Sequence, residues 1–363
     1  MMEVENNTFP IKLHLNSTIV AGFETTPGEE PPYVFQAKSN AQCVAASTSD
    51  NVIKIFDPNT RVLVRQLNGH TNTINEFNFA STSPEGLFSA SSDGTIRRWD
   101  MRAGSAVQTI KDGNVEFYSV GVNQSDTGLA SGSGNTIKAW DLRTGKVALT
   151  YEDFHSDDIT QVKFHPTKSN VLYTASMDGT VCVVDTNISD EEEALLEGEL
   201  NKRVFLTHTG INLEDPIQHI GFYGSQQEKI WISTHSERLS LYHESIPIHQ
   251  FESPRQLLSN SSTEFNYLIS CTYDAQEDEL YVVVGTNEGT IGLAQVKEGG
   301  LNLVSQLSGG HNTVVRWVQW DVHSQQMISG GEDARICFWS ENPEVRMKRV
   351  ELRGRNDEKK QGR

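Results

Sequence analysis

Short runs of alternating apolar and polar residues follow one another along this chain, and they come in a fixed order. Leu87 to Asp100 (LFSASSDGTIRRWD) and Val171 to Asp185 (VLYTASMDGTVCVVD) align at once. Each has an apolar run with Ser or Thr, then Asp-Gly, then a second alternating run ending in a large or apolar residue plus Asp. Asp-Gly between alternating runs predicts a hairpin, because both turn positions tolerate positive φ. Sliding this template along the chain gives seven matches, with second strands ending at Phe56-Asp57, Trp99-Asp100, Trp140-Asp141, Val184-Asp185, Tyr242-His243, Ala294-Gln295 and Trp339-Ser340. A further apolar run precedes each hairpin, as in Ile74 to Phe79 (INEFNF), Ile159 to Phe164 (ITQVKF) and Val314 to Trp320 (VVRWVQW).

Most steps span about 41 to 45 residues, the period of a four-stranded propeller blade. The expected fold is therefore all-β, a seven-bladed β-propeller over residues 11–342. Two longer steps hold an acidic insertion (186–199) and a polar segment (252–264), both read as loops. The last blade lacks a following outer strand, and Ile11 to Val20 (IKLHLNSTIV) is expected to supply it. Closing the ring with strands from both chain ends removes an exposed edge. Residues 1–10 are expected to be flexible, and 343–363 to form a basic disordered tail.

Composition narrows the function classes. No apolar stretch approaches the ~20 residues of a membrane helix, and the N-terminus has no signal-peptide pattern. Cys43, Cys182, Cys271 and Cys337 stand singly in apolar runs without metal spacing, as buried reduced thiols would in an intracellular protein. Neither a metal nor a cofactor is expected. The formal net charge of −18 argues against direct nucleic-acid binding, which needs clustered Lys and Arg. The basic residues after Arg346 (Lys348, Arg349, Arg353, Arg355, Lys359, Lys360) are a candidate nuclear-import signal, so nucleus and cytoplasm are both expected.

His70, Ser89 and Asp93 contain the residue types of a hydrolase triad. The same set recurs as His155, Thr174 and Asp178, and again as His311, Ser329 and Asp333. An enzyme needs one such site, whereas a repeat architecture needs the same brace in every unit. Blade two carries a fuller pattern, Gly69-His70, Ser89, Asp93-Gly94 and Trp99-Asp100, and through it the chain resembles the WD-repeat family. Phe154 to Pro166 (FHSDDITQVKFHP), Glu191 to Leu195 (EEEAL), and Gly309 to His311 with Ser329 to Trp339 are similar to one branch of that family. The resemblance implies a buried network in which His bridges the turn Asp to the hydroxyl, and the hydroxyl reaches the indole of Trp99 or Trp339. Blade four has Val184 in place of Trp, and blade three has Gly134 in place of Asp and is one residue short.

The resemblance also implies a non-enzymatic scaffold that binds other proteins and is monomeric alone. Trp99-Asp100-Met101-Arg102 and Trp140-Asp141-Leu142-Arg143 double a pattern resembling substrate receptors that dock onto a cullin-RING ubiquitin ligase adaptor, with Arg102 and Arg143 as docking residues. An alternative is a nuclear chaperone-like or assembly factor whose acidic insertion (186–199) takes a basic partner such as a histone or ribosomal protein. A ligand-binding or hydrolytic propeller would place non-repeating His or carboxylates at the channel mouth, and the sequence singles out none.

Overall fold

In the computed structural model, residues 13–21, 31–113, 115–195, 211–243, 245–321 and 326–341 are described. The expected flexible start and basic tail lie outside these residues. Seven antiparallel four-stranded sheets form the blades. Blade one comprises Val34–Ser39, Val44–Thr48, Ile53–Phe56 and Leu63–Leu67; blade two Ile74–Phe79, Gly86–Ser91, Thr95–Asp100 and Ser105–Lys111. Blade three comprises Ser119–Val122, Gly128–Ser133, Thr136–Asp141 and Lys146–Tyr151. Blade four comprises Ile159–Phe164, Val171–Ser176, Thr180–Asp185 and the two-residue Ile211–Asn212. Blades five and six, the most degenerate in sequence, are Ile217–Tyr223, Lys229–Thr234, Leu239–His243, Ile246–Phe251, and Tyr267–Asp274, Glu279–Gly285, Ile291–Lys297, Gly300–Leu307.

Blade seven has Val315–Asp321, Gln326–Gly331 and Arg335–Glu341, and its fourth strand is Leu13–Val20 from the start of the chain. That strand runs antiparallel to Arg335–Glu341, with Leu15 opposite Trp339 and Ile19 opposite Ile336. The first strand of blade one also packs on the first strand of blade seven, so the ring closes.

The apolar core lies between blades. One cluster joins Ile53, Ile55 and Leu67 of blade one to Ile74, Phe77, Leu87 and Trp99 of blade two. A second joins Tyr281, Val283 and Leu293 of blade six to Val318, Met327 and Trp339 of blade seven. Second strands are sandwiched on both faces, so Gly86–Ser91 is buried throughout. Outer strands alternate and leave Val64 and Val107 exposed. All four cysteines are unpaired and buried, and burial pushes the thiols of Cys43, Cys182 and Cys337 up to about 12.

Both stretches expected as loops carry a turn of helix. Pro254–Leu258 lies in the polar segment, where Leu258 joins Phe251 and Phe265 in the core between blades five and six. Proline fits the first helical turn, where its missing N–H is not needed. In the acidic stretch, Asp190 caps Glu191–Ala194 by accepting from Glu193 N at 3.2 Å, and Ala194 is buried. Residues 196–199 of that stretch lie outside the described residues. Blade three is shorter at its hairpin: Ser133 pairs directly with Thr136, and Gly134 takes φ +56° to make the turn.

Candidate functional site

In blade two the structure brings together His70, Ser89, Asp93 and Trp99. The indole N–H of Trp99 donates to Ser89 Oγ at 2.8 Å, and His70 Nε2 lies 2.7 Å from the same oxygen. His70 Nδ1 is 2.8 Å from Asp93 Oδ2. An indole nitrogen can only donate, so the serine proton is free to turn toward Nε2, leaving Nδ1–H to donate to Asp93. That chain needs a neutral imidazole and an ionised carboxylate. Burial lowers the His70 pKa, outweighing the pull of Asp93. Burial opposes ionisation of Asp93, but hydrogen bonds from Thr95 and His70 overcome it and hold the carboxyl below its usual range.

Blade seven repeats this geometry. Trp339 Nε1 donates to Ser329 Oγ at 2.8 Å, His311 Nε2 lies 2.8 Å from that oxygen, and Nδ1 is 3.0 Å from Asp333 Oδ1. The turn carboxylates also take backbone donors, Thr71 N in blade two and Asn312 N in blade seven. A Cβ added at Gly310 would sit 2.6 Å from the Trp339 ring, which explains the glycine before that histidine. Ser89 and Ser329 have no exposed surface, and each hydroxyl is bonded on both sides. Neither can reach a substrate as a nucleophile, so these groups act as braces.

Blade four keeps part of the set. His155 Nε2 lies 2.8 Å from Thr174 Oγ1, but Nδ1 is nearer to Thr180 Oγ1 at 3.0 Å than to Asp178 Oδ2 at 3.4 Å. Thr174 has no indole to satisfy, because Val184 fills that place. In blade three Ser131 donates instead to the carbonyl of Ser119 at 2.5 Å. Where blades one, five and six place Phe56, Tyr242 and Ala294 at the Trp position, the hydroxyl position holds Ala46, Ile232 and Val284. Donor and acceptor are thus lost together, which avoids an unpaired buried group.

Sequence reasoning missed a second polar system, at the axis of the ring. The innermost strand of each blade has one edge without a strand partner, and its backbone groups still need bonds. At four consecutive joints a side chain from the preceding blade supplies one. Phe77 N donates to Gln36 Oε1 at 3.0 Å and Val120 N to Glu76 Oε2 at 3.1 Å. Val162 N donates to Ser119 Oγ at 2.9 Å and Ile220 N to Gln161 Oε1 at 2.8 Å. Lys38 and Lys163, two residues beyond Gln36 and Gln161, donate to the carbonyls of Phe77 and Ile220 at 2.8 and 2.5 Å. The available signal was a polar residue inside each inner strand, as in I-N-E-F and I-T-Q-V.

Arg102 and Arg143 occupy equivalent turns between the third and fourth strands of neighbouring blades. Asp100 Oδ1 accepts from Arg102 N at 2.9 Å, and Asp141 Oδ1 from Arg143 N at 2.8 Å. Each aspartate thereby shapes its turn, and backbone donors, Ala103 N and Arg102 N for Asp100 and Arg143 N for Asp141, hold both carboxyl groups below their usual range. The Arg102 and Arg143 side chains are left 72% and 80% exposed, with their guanidinium groups near Asp100 and Asp141 at 3.6 and 3.2 Å. At the opposite end of the ring, the connections between blades present exposed Glu116, Glu152, Asp153, Asp157, Asp158 and Glu214.

Among the described residues no cluster of three or more His, Cys, Asp or Glu is arranged to hold a metal. Nor is any described helix long and apolar enough to cross a membrane.

The family description "WD domain, G-beta repeat" matches residues 61–100, 146–185 and 302–340. Each match begins in the outer strand of one blade and ends with the third strand of the next, the same offset that forces closure by the N-terminal strand. The WD repeat-containing protein 89 homolog of Dictyostelium discoideum is 32% identical over 88% of this chain and 85% of its own length. WD repeat-containing protein GTS1 of Arabidopsis thaliana is 35% identical over 86% and 82%. An uncharacterized WD repeat-containing protein of Schizosaccharomyces pombe is 24% identical over 85% of this chain and 95% of its own. With seven blades, Trp–Ser–His–Asp braces in blades two and seven, and relatives alike over most of their length, this chain belongs to the WD-repeat family of propellers, in general a non-enzymatic protein-binding scaffold fold.

Proposed function

We propose that this propeller is an interaction scaffold that docks, through Arg102 and Arg143, onto the adaptor of a cullin-RING ubiquitin ligase and presents a substrate protein to it. The observation that carries this reading is the pairing of two exposed guanidinium groups on equivalent turns of adjacent blades, each turn shaped by its own aspartate. Rigid neighbouring blades set the two charged forks at a fixed separation, which suits recognition of carboxylates or carbonyls on a flat partner. Affinity capture from cells with the full chain tests it. The adaptor should be recovered with the unaltered protein and lost when both Arg102 and Arg143 become Ala. Its absence from the unaltered capture would end the ligase reading.

A second reading rests on the opposite end of the ring, where exposed Glu116, Glu152, Asp153, Asp157, Asp158 and Glu214 gather on three successive connections. This end takes a basic protein segment, as a chaperone or assembly factor for a histone or ribosomal protein would. Association should weaken steeply with added salt and with Asp157 and Asp158 changed to Asn. The basic residues from Lys348 to Lys360 direct part of the protein to the nucleus. A fluorescent fusion lacking residues 343–363 should then lose its nuclear signal.

A further inference from the structure

The outer rim of blades one to three holds a third guanidinium group that no turn motif supplies. In blade one the turn equivalent to those of Arg102 and Arg143 is again built by an aspartate, with Asp57 Oδ1 accepting from Asn59 N at 2.9 Å and Thr60 N at 2.7 Å. Asn59 stands there where the neighbouring blades have arginine. Arg61, two residues on, takes the left-handed conformation (φ +62°) and turns toward blade seven, where its guanidinium lies 3.7 Å from the Phe338 ring centroid. The same group donates to Gln326 Oε1 at 3.1 Å, so the turn of blade one has no free fork for a partner.

The fork comes instead from the strand that follows. In blades two and three the left-handed place of the turn belongs to Gly104 and Gly145 (φ +70° and +69°), and each glycine is roofed by the outer strand of the preceding blade. A Cβ at Gly104 would meet Arg65 Cδ at 2.8 Å and Nε at 3.6 Å, and one at Gly145 would meet Gln108 Nε2 at 3.1 Å. Arg65 and Gln108 hold the same register position, directly after a bulge in the outer strand. The stem of Arg65 thus crosses the turn that carries Arg102, two residues from Arg102 itself. Arg65 is exposed, and among the described residues no carboxylate pairs with it.

The extra residues of those two bulges are Val64 and Val107, 58% and 57% exposed. A bulge re-aims the side chain it carries. Along this rim Val64, Arg65, Arg102, Val107 and Arg143 therefore mix apolar and basic surface, while Asp100 and Asp141 are bound into their own turns. On a chain whose net charge is −18, such a stripe selects an acidic counter-face.

We propose that the ligase adaptor is gripped by three arginines rather than two, Arg65 being the third, with Val64 and Val107 as the apolar contacts between them. This rests on the docking reading above and extends it from the turns onto the outer strands of blades one and two. The adaptor face that fits presents carboxylates to the three forks and apolar side chains to the valines.

The test is titration of the full chain with the purified adaptor at two salt concentrations. Arg65→Met keeps the stem that covers Gly104 and removes only the charge, so Tm should hold while affinity falls roughly tenfold. The salt dependence of binding should also become shallower, which a merely structural role would not produce. Val64→Thr with Val107→Thr keeps both strands β-branched and should weaken binding several-fold at either salt concentration. Lys111→Met removes the same charge at the far end of the blade-two outer strand and should change nothing. No binding by the unaltered chain would overturn the docking reading and this extension together. Binding that is lost with Arg102→Ala and Arg143→Ala but unaffected by Arg65→Met, or by the valine pair, would overturn the extension alone.

Discussion

The indole N–H of Trp99 ends on the Ser89 hydroxyl at 2.8 Å, and this one bond fixes the direction of every proton in the blade-two brace. The serine oxygen, once it has accepted, must donate to His70, and the imidazole must then donate to Asp93. Changing Ser89 to Ala removes the central acceptor and strands two buried groups. The expected cost is about 1–3 kcal/mol, read as a lower urea midpoint with unchanged m. Asp93→Ala should cost a similar amount, and unchanged stability in either variant would count against the brace.

Ser329→Ala should cost as much in blade seven as Ser89→Ala does in blade two. Blade one stands between these braces, so the double variant should be additive within about 0.3–0.5 kcal/mol. A larger deviation would mean that strain passes around the ring through the inner strands.

Acid should destabilise the protein in two stages. His70 and His219 have folded pKa values below the unfolded value, so the unfolded chain gains protons first as pH falls through about 6.5. Their contribution is complete above that pH and declines toward the folded values, about 3 for His219. Asp93, Asp178 and Asp333 are also lowered on folding, so their contribution is lost below the ordinary carboxyl range. Tm should therefore drop from pH 7 to 5, then fall again below pH 4. A flat profile from pH 7 to 5 would contradict the histidine assignment.

Removing residues 1–20 should open the ring. The deletion strips the partner strand from Arg335–Glu341 and takes Leu13 and Ile19 out of the core clusters that hold Trp339 and Ile336. An exposed edge of that length invites association, so aggregation in size-exclusion runs and a markedly lower Tm are expected. A soluble, equally stable product would refute closure by the first strand.

Arg102→Ala with Arg143→Ala should leave folding stability within about 0.5 kcal/mol, because neither side chain packs in a core. Capture of the ligase adaptor should nevertheless fail. Thermal unfolding of the double variant separates this outcome from loss of fold.

Much of the ring could be read without coordinates, for a local reason. A hairpin is written within about a dozen neighbouring residues, and Asp-Gly between alternating runs carries both its turn and its faces. All seven expected hairpin ends fall in the third strand of a blade or at its immediate edge, including those of blades five and six. The missing last strand was legible too, because a four-stranded period leaves the final unit one strand short. The two inserted stretches were less legible: the helix at Pro254–Leu258 exists because Leu258 finds an apolar cluster that no local pattern announces.

The braces lie between these cases. Recurrence of His, Ser or Thr, and Asp at the repeat period located them, but not the longer His155–Asp178 separation in blade four, nor the turn of Ser131 toward Ser119 in blade three. The axis side chains were not found at all. Gln36, Glu76, Ser119 and Gln161 act on backbone N–H groups at Phe77, Val120, Val162 and Ile220, 41 to 59 residues away.

By itself the sequence determined the number of blades, the strand order within each and the need to close the ring from both chain ends, since these follow from short-range turn chemistry and a repeating period. Only the tertiary structure decided what meets at the centre. Seven inner edges converge there, and which polar side chain reaches which backbone group depends on the spacing of strands far apart in the chain.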